Sequence, residues 1–415
     1  MEAHKLHPRF AAARLLEALA DTPVVLVHGP RQAGKTTLAR RTAAPLGYAY
    51  VTFDDEVALA AARADPAGFV DDLPERVILD EVQRAPAIFT ALKRSVDQAR
   101  TPGRFLLTGS SNVLLLPTLA DSLAGRIGLL QLHPLAQCEL AGHEPGFLGD
   151  LLRGGFKLRS VPRLGRSLAE RIAAGGYPAA LARPEPRRRA AWYRDYVEAL
   201  IQRDVRQLSR IASLDVLPRL LALVAGQTGR LANVSDLSSP FQLSRPTIRD
   251  YLTLLERLFL VEELPPWHTN RTSRLVKTPK LHLLDTGVAC ALLGLGAEDL
   301  WQDRGVLGQL LETFVVQEIR RQASWLDEDC RLSHFRDRDG VEVDLVLEQG
   351  VRRLAGVEIK ASATVREADF RGLRKLADAA GARFVCGVVL YDGETSARFG
   401  ERLFAVPIRR LWEPG

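Results

Sequence analysis

The segment GPRQAGKTT, residues 29–37, constrains the fold more than any other feature of the chain. It matches the pattern GxxxxGK[ST], and it lies between an apolar run that predicts a strand and a stretch that predicts a helix. Glycines at positions 29 and 34 let the backbone wrap around phosphates, whose charge is met by backbone N–H groups and the helix N-terminus. The segment therefore predicts a nucleotide-binding loop, with a chance glycine-rich turn as the alternative.

The chemistry of phosphate binding gives individual residues of this loop distinct expected roles. Lys35 is expected to reach the outer phosphates, and Thr36 to supply its hydroxyl to Mg²⁺. The residues expected to contact the nucleotide are Gly29, Pro30, Arg31, Gln32, Ala33, Gly34, Lys35, Thr36 and Thr37.

Five short apolar runs in the first 135 residues predict strands, and helical stretches separate them. This alternation is typical of a parallel α/β sheet, and runs this apolar suit strands that are covered on both faces. The expected strands are residues 23–29, 48–54, 76–81, 104–110 and 126–132.

Polar side chains follow two of these runs. Asp80 and Glu81 end the third run, at the sheet edge where open α/β folds bind ligands. Asp80 would help to hold Mg²⁺ through water, and Glu81 would orient and deprotonate an attacking water. A solvated turn is the alternative for this acidic pair. At the end of the fourth run, Ser110 and Asn112 are the candidates for sensing a γ-phosphate.

Composition narrows the class of protein. A chain of 415 residues is expected to form two to four domains, and its net charge of +6 permits a polyanionic partner without requiring one. The four cysteines form no CxxC pair, which argues against a disulfide framework and a zinc site. The N-terminus lacks an apolar signal core, and no stretch approaches 18 apolar residues. We therefore expect a cytoplasmic protein with no membrane partner.

The segments HGPRQAGKTTLA, ILDEVQRAP, LLTGSSN and LAGRIGLLQLHPL together resemble bacterial and archaeal AAA+-type ATPases that carry a C-terminal DUF4143 region. The resemblance spans nearly the whole chain, and it implies ATP hydrolysis with ATP and Mg²⁺ as cofactors. In AAA+-type proteins an arginine at the position of Arg126 often reaches a neighbour's nucleotide. That role implies a homo-oligomeric ring, with a hexamer as the default; an ordinary helix-terminal arginine is the alternative.

The segment AAGGYPAAL lies in a helical stretch that extends over residues 165–212. It resembles a glycine–proline element of signal-transducing relatives, in which the proline lies against adenine. Gly176 and Pro178 would then contact the base of the nucleotide. A plain helix-breaking turn is the alternative.

Residues 231–267 resemble a winged helix that contacts DNA. In the segment SRPTIRDYLTLLERL, Ser244 is a plausible cap for a recognition helix and Pro246 suits its first turn. The flanking segments LFLVEEL and KLHLLD would form the wing strands. The candidate DNA contacts are Arg245, Arg249, Arg271, Arg274 and Lys277. Winged helices also serve as protein-packing modules, which is the alternative.

From Gly305 onward the pattern predicts the element order α-β-β-β-α-β, which is the core order of PD-(D/E)XK nuclease folds. That chemistry needs acids on adjacent strands to hold a divalent metal, and a nearby lysine. By this resemblance Asp344, Glu358 and Lys360 are the candidate catalytic residues. Glu312, on the preceding helix, would join Asp344 and Glu358 in holding Mg²⁺ or Mn²⁺. The solvated face of a half-buried sheet is the alternative.

These features divide the chain into four expected domains. They are a P-loop AAA+-type ATPase domain (1–160), a helical lid-like segment (161–215), a winged-helix module (216–285) and a PD-(D/E)XK nuclease-like domain (286–415). The expected fold class is α/β, with a P-loop NTPase parallel sheet before a helical and winged-helix module and a C-terminal α/β domain.

Three functions fit this organisation. The favoured one is an ATPase that couples hydrolysis to binding and remodelling DNA, with metal-dependent DNA cleavage as a possible addition. A regulatory nucleotide switch, whose C-terminal half is a protein-interaction scaffold, is the second. The third is a metal-dependent nuclease that ATP only gates.

Overall fold

A computed structural model describes residues 6–110, 123–205, 215–269 and 278–413. The chain divides into two compact units. The N-terminal unit contains Arg9–Leu135 and Arg257–Phe259, and the C-terminal unit contains Met1–Pro8, Ala136–Glu256 and Leu260–Gly415. The finer division into four domains stays a prediction.

The N-terminal unit is built on a parallel five-stranded sheet in the order β2-β3-β4-β1-β5. Each strand falls within one of the five predicted runs, because those runs are apolar enough for a sheet with helices on its faces. The strands are β1 (Val24–His28), β2 (Ala49–Thr52), β3 (Val77–Asp80), β4 (Phe105–Gly109) and β5 (Ile127–Gln131).

One helix precedes β1, and further helices lie between successive strands up to β4, in the alternation that the sequence predicts. They are α1 (Ala11–Asp21), α2 (Lys35–Ala43), α3 (Glu56–Ala64), α4 (Pro66–Asp71) and α5 (Ile88–Gln98). Asp55 begins α3 by accepting hydrogen bonds from the backbone N–H groups of Val57 and Ala58. A buried apolar cluster between the sheet and these helices includes Leu26, Leu79, Phe89 and Leu107.

The C-terminal unit begins with helices and continues into two sheets. Its helices are α6 (Gln137–Ala141), α7 (Phe147–Arg153), α8 (Arg166–Ala174), α9 (Pro178–Leu181), α10 (Pro186–Leu200), α11 (Val216–Gly226), α12 (Val234–Ser238), α13 (Arg245–Arg257), α14 (Thr286–Leu293), α15 (Ala297–Gln302), α16 (Arg304–Ala323) and α17 (Arg371–Ala380). In the described ranges, every helix is too short or too polar to cross a bilayer.

A small antiparallel sheet in the order β7-β9-β8 accompanies α11 to α13. Its strands are β7 (Arg230–Leu231), β8 (Val261–Leu264) and β9 (Lys280–Leu283). β8 and β9 lie in the two segments predicted as wing strands, and they pair antiparallel with Val261 opposite Leu283. The pairing brings residues near position 280 beside residues near position 264.

The larger sheet has seven strands in the order β10-β11-β12-β13-β15-β14-β6 and mixes parallel with antiparallel pairs. Its strands are β6 (Arg159–Ser160), β10 (Cys330–Arg336), β11 (Glu342–Gln349), β12 (Arg353–Lys360), β13 (Phe384–Tyr391), β14 (Thr395–Gly400) and β15 (Leu403–Pro407). From α16 to β13 the elements follow the predicted order α-β-β-β-α-β. The expected α/β fold class is confirmed.

Candidate functional site

The predicted phosphate loop connects β1 to α2 and curves tightly. Gly29 has φ +144°, and a Cβ atom there would lie 2.2 Å from the carbonyl oxygen of Leu132. Gly34, with φ +95°, is the N-cap residue of α2, and Gln32 has φ 62°. At positions 29 and 34, glycine adopts these positive φ angles without strain. The loop thus has the backbone shape that turns successive N–H groups toward an anion.

Lys35 is buried at the start of α2. Its ammonium donates hydrogen bonds to the carbonyl oxygens of Gly29 at 3.0 Å and Pro30 at 2.8 Å. The loop therefore surrounds a positive charge. His28 precedes the loop, and burial, followed by the charge of Lys35, lowers the pKa of its imidazole to about 4.

Arg9 holds the phosphate loop at Ala33. Its guanidinium donates to the carbonyl oxygens of Ala33 at 2.9 Å and His133 at 2.6 Å. The sequence carries no signal for this contact, because Arg9 and His133 lie 124 positions apart and Arg9 belongs to none of the recognised motifs. Arg9 is therefore a loop-positioning residue that sequence reasoning missed.

Asp80, at the end of β3, receives several hydroxyl hydrogen bonds. The hydroxyl of Thr36 donates to its carboxylate at 2.7 Å and the phenol of Tyr50 at 2.9 Å. Thr108 on β4 is a further donor, and Thr52 lies 3.5 Å away. The hydroxyl of Thr36 and the carboxylate of Asp80 are hard oxygen donors, which suit Mg²⁺.

Tyr50 and Thr52 are also absent from the predicted site. They lie two residues apart on β2, so their side chains leave the same face of the strand, and Thr52 is in register with Asp80. Burial and the hydrogen bond to Asp80 raise the pKa of the Tyr50 phenol. The alternation in YAYVTFD is a signal that could have identified both residues.

Glu81 directly follows Asp80 in a left-handed conformation, with φ 57° and ψ 43°. The side-chain amide of Gln83 donates a hydrogen bond to its carboxylate. Such backbone angles are uncommon outside glycine, and they concentrate at functional sites. The backbone at Glu81 thus turns away from the path of β3. Its neighbour Asp80 is the carboxylate that accepts the hydrogen bond from Thr36.

Ser110 follows β4 and is fully buried. Within the described ranges its hydroxyl has no hydrogen-bond partner, which leaves a polar group at the same sheet edge as Asp80. Asn112, the other predicted sensor, lies outside the described residues. The sensing role stays a prediction for both.

Arg126 is engaged within its own unit. Its Nε donates to Asp97 Oδ1 at 2.6 Å and its Nη2 to Asp97 Oδ2 at 3.1 Å, while Nη1 donates to the Ala124 carbonyl at 3.0 Å. The hydrogen bond from Arg126 lowers the pKa of the Asp97 carboxyl. Reaching another chain's nucleotide would require Arg126 to leave this ion pair.

Gly176 and Pro178, the predicted adenine contacts, lie in the C-terminal unit. The backbone N–H of Gly176 donates to the buried carboxylate of Asp285 at 2.7 Å, and Pro178 is the first residue of α9. Each therefore has a local structural role, as a buried turn and as a helix start. Contact with adenine stays a prediction.

The predicted recognition helix is α13. Ser244 caps it by accepting a hydrogen bond from the Thr247 N–H at 3.2 Å. Arg245 and Arg249 are exposed. The buried side chains of the helix are Ile248, Tyr251, Leu252, Leu254 and Leu255. The other predicted DNA contacts, Arg271, Arg274 and Lys277, lie outside the described residues.

The acidic residues predicted for metal binding lie around a buried lysine. The ammonium of Lys280, on β9, is 2.7 Å from Glu312 Oε1 on α16 and 3.5 Å from Asp344 Oδ1 on β11. Glu342 Oε2 is 3.9 Å from the same ammonium. We call Lys280, Glu312, Glu342 and Asp344 the Lys280 cluster. The structure brings the predicted residues Glu312 and Asp344 to the same ammonium, and sequence reasoning missed Lys280.

Glu358 and Lys360 lie beside the cluster on β12. Lys360 donates to Glu358 Oε1 at 2.7 Å, and the Ile359 N–H donates to Asp344 Oδ2 at 2.8 Å. Within the described part of the chain, Glu358 Oε2 is buried without a hydrogen-bond partner. Burial, followed by the charge of Asp344, raises the pKa of Glu358 to about 8, and the same causes raise the pKa of Glu312 to about 8.

His282 lies next to the cluster on the same face of β9 as Lys280. Its Nδ1 is 3.0 Å from the Thr313 hydroxyl, and its Nε2 is 4.0 Å from Glu312 Oε1. Burial, followed by the charge of Lys280, lowers the pKa of His282 well below its usual value. The imidazole therefore stays neutral and leaves Lys280 as the cation nearest Glu312.

The arrangement does not fit a preformed divalent-metal centre. Across the described residues, no three His, Cys, Asp or Glu side chains are grouped to hold one metal ion. The Lys280 ammonium lies between Glu312 and Asp344, where a shared ion would have to bind. Metal binding by Glu312, Asp344 and Glu358 stays a prediction, and it would require displacement of that ammonium.

Three regions of the chain match known domain families. Residues 21–141 match an AAA domain (AAA_14), residues 165–299 a domain of unknown function (DUF8612), and residues 307–411 a domain of unknown function (DUF4143). Uncharacterized protein Rv2008c of Mycobacterium tuberculosis is 32% identical over 412 residues, which cover 98% of this chain and 85% of that protein. Uncharacterized protein Mb2031c of Mycobacterium bovis gives the same values.

The chain belongs to the family of P-loop ATPases with a C-terminal DUF4143 region. Among solved structures, the Walker-type ATPase PABY2304 of Pyrococcus abyssi is 16% identical, with a TM-score of 0.43. The match covers 70% of this chain and 99% of that one. At this identity and TM-score the likeness carries no conclusion about function.

In this DUF4143 ATPase, the family boundaries clarify how the Lys280 cluster is built. Glu312 and Asp344 belong to the DUF4143 region, whereas Lys280 belongs to the preceding DUF8612 region. The cation and its carboxylates therefore come from two different domain families. A motif confined to the DUF4143 region therefore does not include the lysine.

Proposed function

We propose that the chain is a Mg²⁺-dependent ATP hydrolase that acts on DNA and couples hydrolysis to DNA binding or remodelling. The observation that carries the proposal is the 2.7 Å hydrogen bond between the Thr36 hydroxyl and the Asp80 carboxylate. It joins the phosphate loop to the acidic strand end at the point where the metal of a P-loop hydrolase is held.

The roles of the residues follow from their positions. Lys35 would neutralise the outer phosphates, and the loop N–H groups would bind the remaining phosphate oxygens. Thr36 and Asp80 would hold Mg²⁺, which neutralises phosphate charge when bound. Glu81 would orient a water molecule and take its proton as the water attacks the γ-phosphate. Ser110, at the same sheet edge, would contact the γ-phosphate.

Action on DNA is supported by the surface of α13 and by the net charge of +6. Arg245 and Arg249 are exposed near the start of a helix whose other face is buried, which is how a recognition helix presents cations to DNA. The neighbouring strands β8 and β9, which pair antiparallel, would form the wing. The proposal assigns no cleavage step.

An ATPase assay with and without duplex, single-stranded and branched DNA, at two salt concentrations, tests the proposal. We expect Mg²⁺-dependent hydrolysis that DNA stimulates and salt weakens. Lys35→Ala should abolish hydrolysis. Arg245→Ala with Arg249→Ala should lower DNA affinity and reduce the salt slope by about one per arginine. Arg338→Ala with Arg352→Ala, which removes two exposed arginines from the turns before and after β11, is the charge-matched control.

The outcome also separates the proposal from a regulatory nucleotide switch. A switch would show slow turnover that DNA does not change, together with an oligomer size that depends on the bound nucleotide. That result would overturn action on DNA and leave the nucleotide site intact. Absence of ATP hydrolysis under every condition would overturn the whole proposal.

A further inference from the structure

Lys280 is an unusual residue to find at the centre of the C-terminal unit. Its side chain is only 4% exposed, although a lysine ammonium is strongly hydrated in water. Removing such a charge from water is costly unless opposite charges and hydrogen bonds compensate it. In the Lys280 cluster, Glu312 provides the hydrogen bond, and the carboxylates of Asp344 and Glu342 provide further negative charge.

The carboxylates depend on Lys280 as much as it depends on them. Glu312 and Asp344 repel each other when both are ionised, because their carboxylates lie close to the same ammonium. Lys280 offsets that repulsion, because its ammonium lies 2.7 Å from Glu312 Oε1 and 3.5 Å from Asp344 Oδ1. The cluster is thus closer to charge balance with Lys280 in place than without it.

In an all-carboxylate nuclease site, the positive charge at this position is a divalent metal. We propose that the Lys280 ammonium is instead the permanent cation of this cluster, so that the wild-type chain binds no divalent metal between Glu312 and Asp344. The disagreement between the expected metal site and the observed contacts carries this inference. The lysine comes from β9, outside the region that supplies the carboxylates.

With Lys280 as its cation, the Lys280 cluster has a structural role. The ion pairs attach β9 of the small sheet to α16 and to β11 of the large sheet. The cluster therefore joins two sheets of the C-terminal unit by fixed charges, and it requires no metal to do so. On this proposal Glu312 and Asp344 hold the two sheets together through Lys280 and share no metal ion.

Binding of Mn²⁺ to the full chain, measured by electron paramagnetic resonance without nucleotide, tests the inference. Wild type and Asp344→Asn should bind the same number of Mn²⁺ ions, because any ion at the nucleotide site is common to both. Lys280→Met removes the ammonium and leaves the carboxylates. It should bind Mn²⁺ at least about tenfold more tightly than wild type, since one nearby positive charge is lost.

Lys157→Met is the control, because it removes an exposed lysine of the same unit that lies outside the Lys280 cluster. It should gain no affinity for Mn²⁺. A wild-type ion that Asp344→Asn loses, or a folded Lys280→Met protein with no gain in affinity, overturns the proposal. If Lys280→Met does not fold, the comparison of wild type with Asp344→Asn decides. No step of the test depends on ATP hydrolysis.

Discussion

Glu81 combines a strained backbone with a restrained side chain. Its left-handed angles cost a non-glycine residue about 1–3 kcal/mol, and Gln83 holds its carboxylate. The neighbouring Asp80 is occupied by hydroxyl donors, including Thr36 and Thr108. Of the two adjacent acids, we therefore propose Glu81 as the one that accepts a proton from water.

This division of roles predicts a separation of binding from chemistry. Glu81→Gln should retain ATP binding, measured with a fluorescent nucleotide, and lose hydrolysis by about a hundredfold or more because the general base is removed. Gln83→Leu should lower kcat less and leave KM unchanged, since it only frees the carboxylate. Glu56→Gln, at an exposed position of α3, should change neither value. Loss of ATP binding in Glu81→Gln would contradict the assignment.

His28 makes the stability of the N-terminal unit sensitive to acid. The pKa of its imidazole is about 4 in the folded protein, against 6.5 for a free imidazole. Between these pH values the unfolded chain binds a proton that the folded chain excludes. The free energy of unfolding should therefore fall as pH decreases through this window, by up to about 3 kcal/mol.

Urea unfolding of wild type and His28→Gln at pH 7 and pH 4.5 measures this contribution. The loss of stability at the lower pH should be smaller in His28→Gln, because glutamine binds no proton. Other titrating groups are common to both proteins and cancel in the difference. Equal acid sensitivity of the two proteins would show that His28 does not supply the effect.

Among the elements, α17 lies unusually close to the large sheet. A Cβ atom at Gly372 would lie 2.0 Å from the carbonyl oxygen of Glu342. At Gly356 on β12, an added Cβ atom would lie 2.7 Å from the side chains of both Leu373 and Leu376. The helix can pack at this distance because both contact positions lack side chains.

Two helical glycines of the C-terminal unit provide a matched test of this packing. Gly372→Ala should lower the melting temperature, because backbone atoms cannot move aside as a flexible side chain can. Gly308→Ala, in α16, meets no heavy atom within 4 Å. It should stabilise the protein by about 0.4–1 kcal/mol, as alanine does at an unstrained helical position. Calorimetry of both variants decides, and equal effects would contradict the packing argument.

Local patterns were sufficient to predict the strands and the nucleotide loop. The five apolar runs gave the parallel sheet, and the spacing of Gly29, Gly34 and Lys35 requires no knowledge of distant residues. Contacts between remote segments were not predictable in this way. Lys280 contacts Glu312 only because β9 packs beside α16 in the folded protein. Arg9 contacts the phosphate loop only once the N-terminal unit has folded.

The predicted assembly of several copies of the chain rests on Arg126. We propose that it completes the nucleotide site of a neighbouring copy in a homo-oligomer, for which a ring of six is the default expectation. Within one chain Arg126 pairs with Asp97, and both side chains are partly exposed. A neighbouring chain could therefore compete for the guanidinium at the cost of one surface ion pair, which typically contributes little stability.

Mixing two inactive variants tests transfer of this arginine between chains. Arg126→Ala should lower ATP hydrolysis by about a hundredfold or more, because the transition-state charge loses its neighbouring cation. Glu81→Gln is inactive for a different reason and retains Arg126. A mixture should recover activity, since a Glu81→Gln chain can supply Arg126 to a neighbour with an intact Glu81.

Arg94→Ala, which removes another exposed arginine paired to an aspartate, should retain full activity alone. A mixture no more active than its separate components, or an Arg126→Ala protein with wild-type turnover and assembly in sedimentation, would place Arg126 in a purely local ion pair.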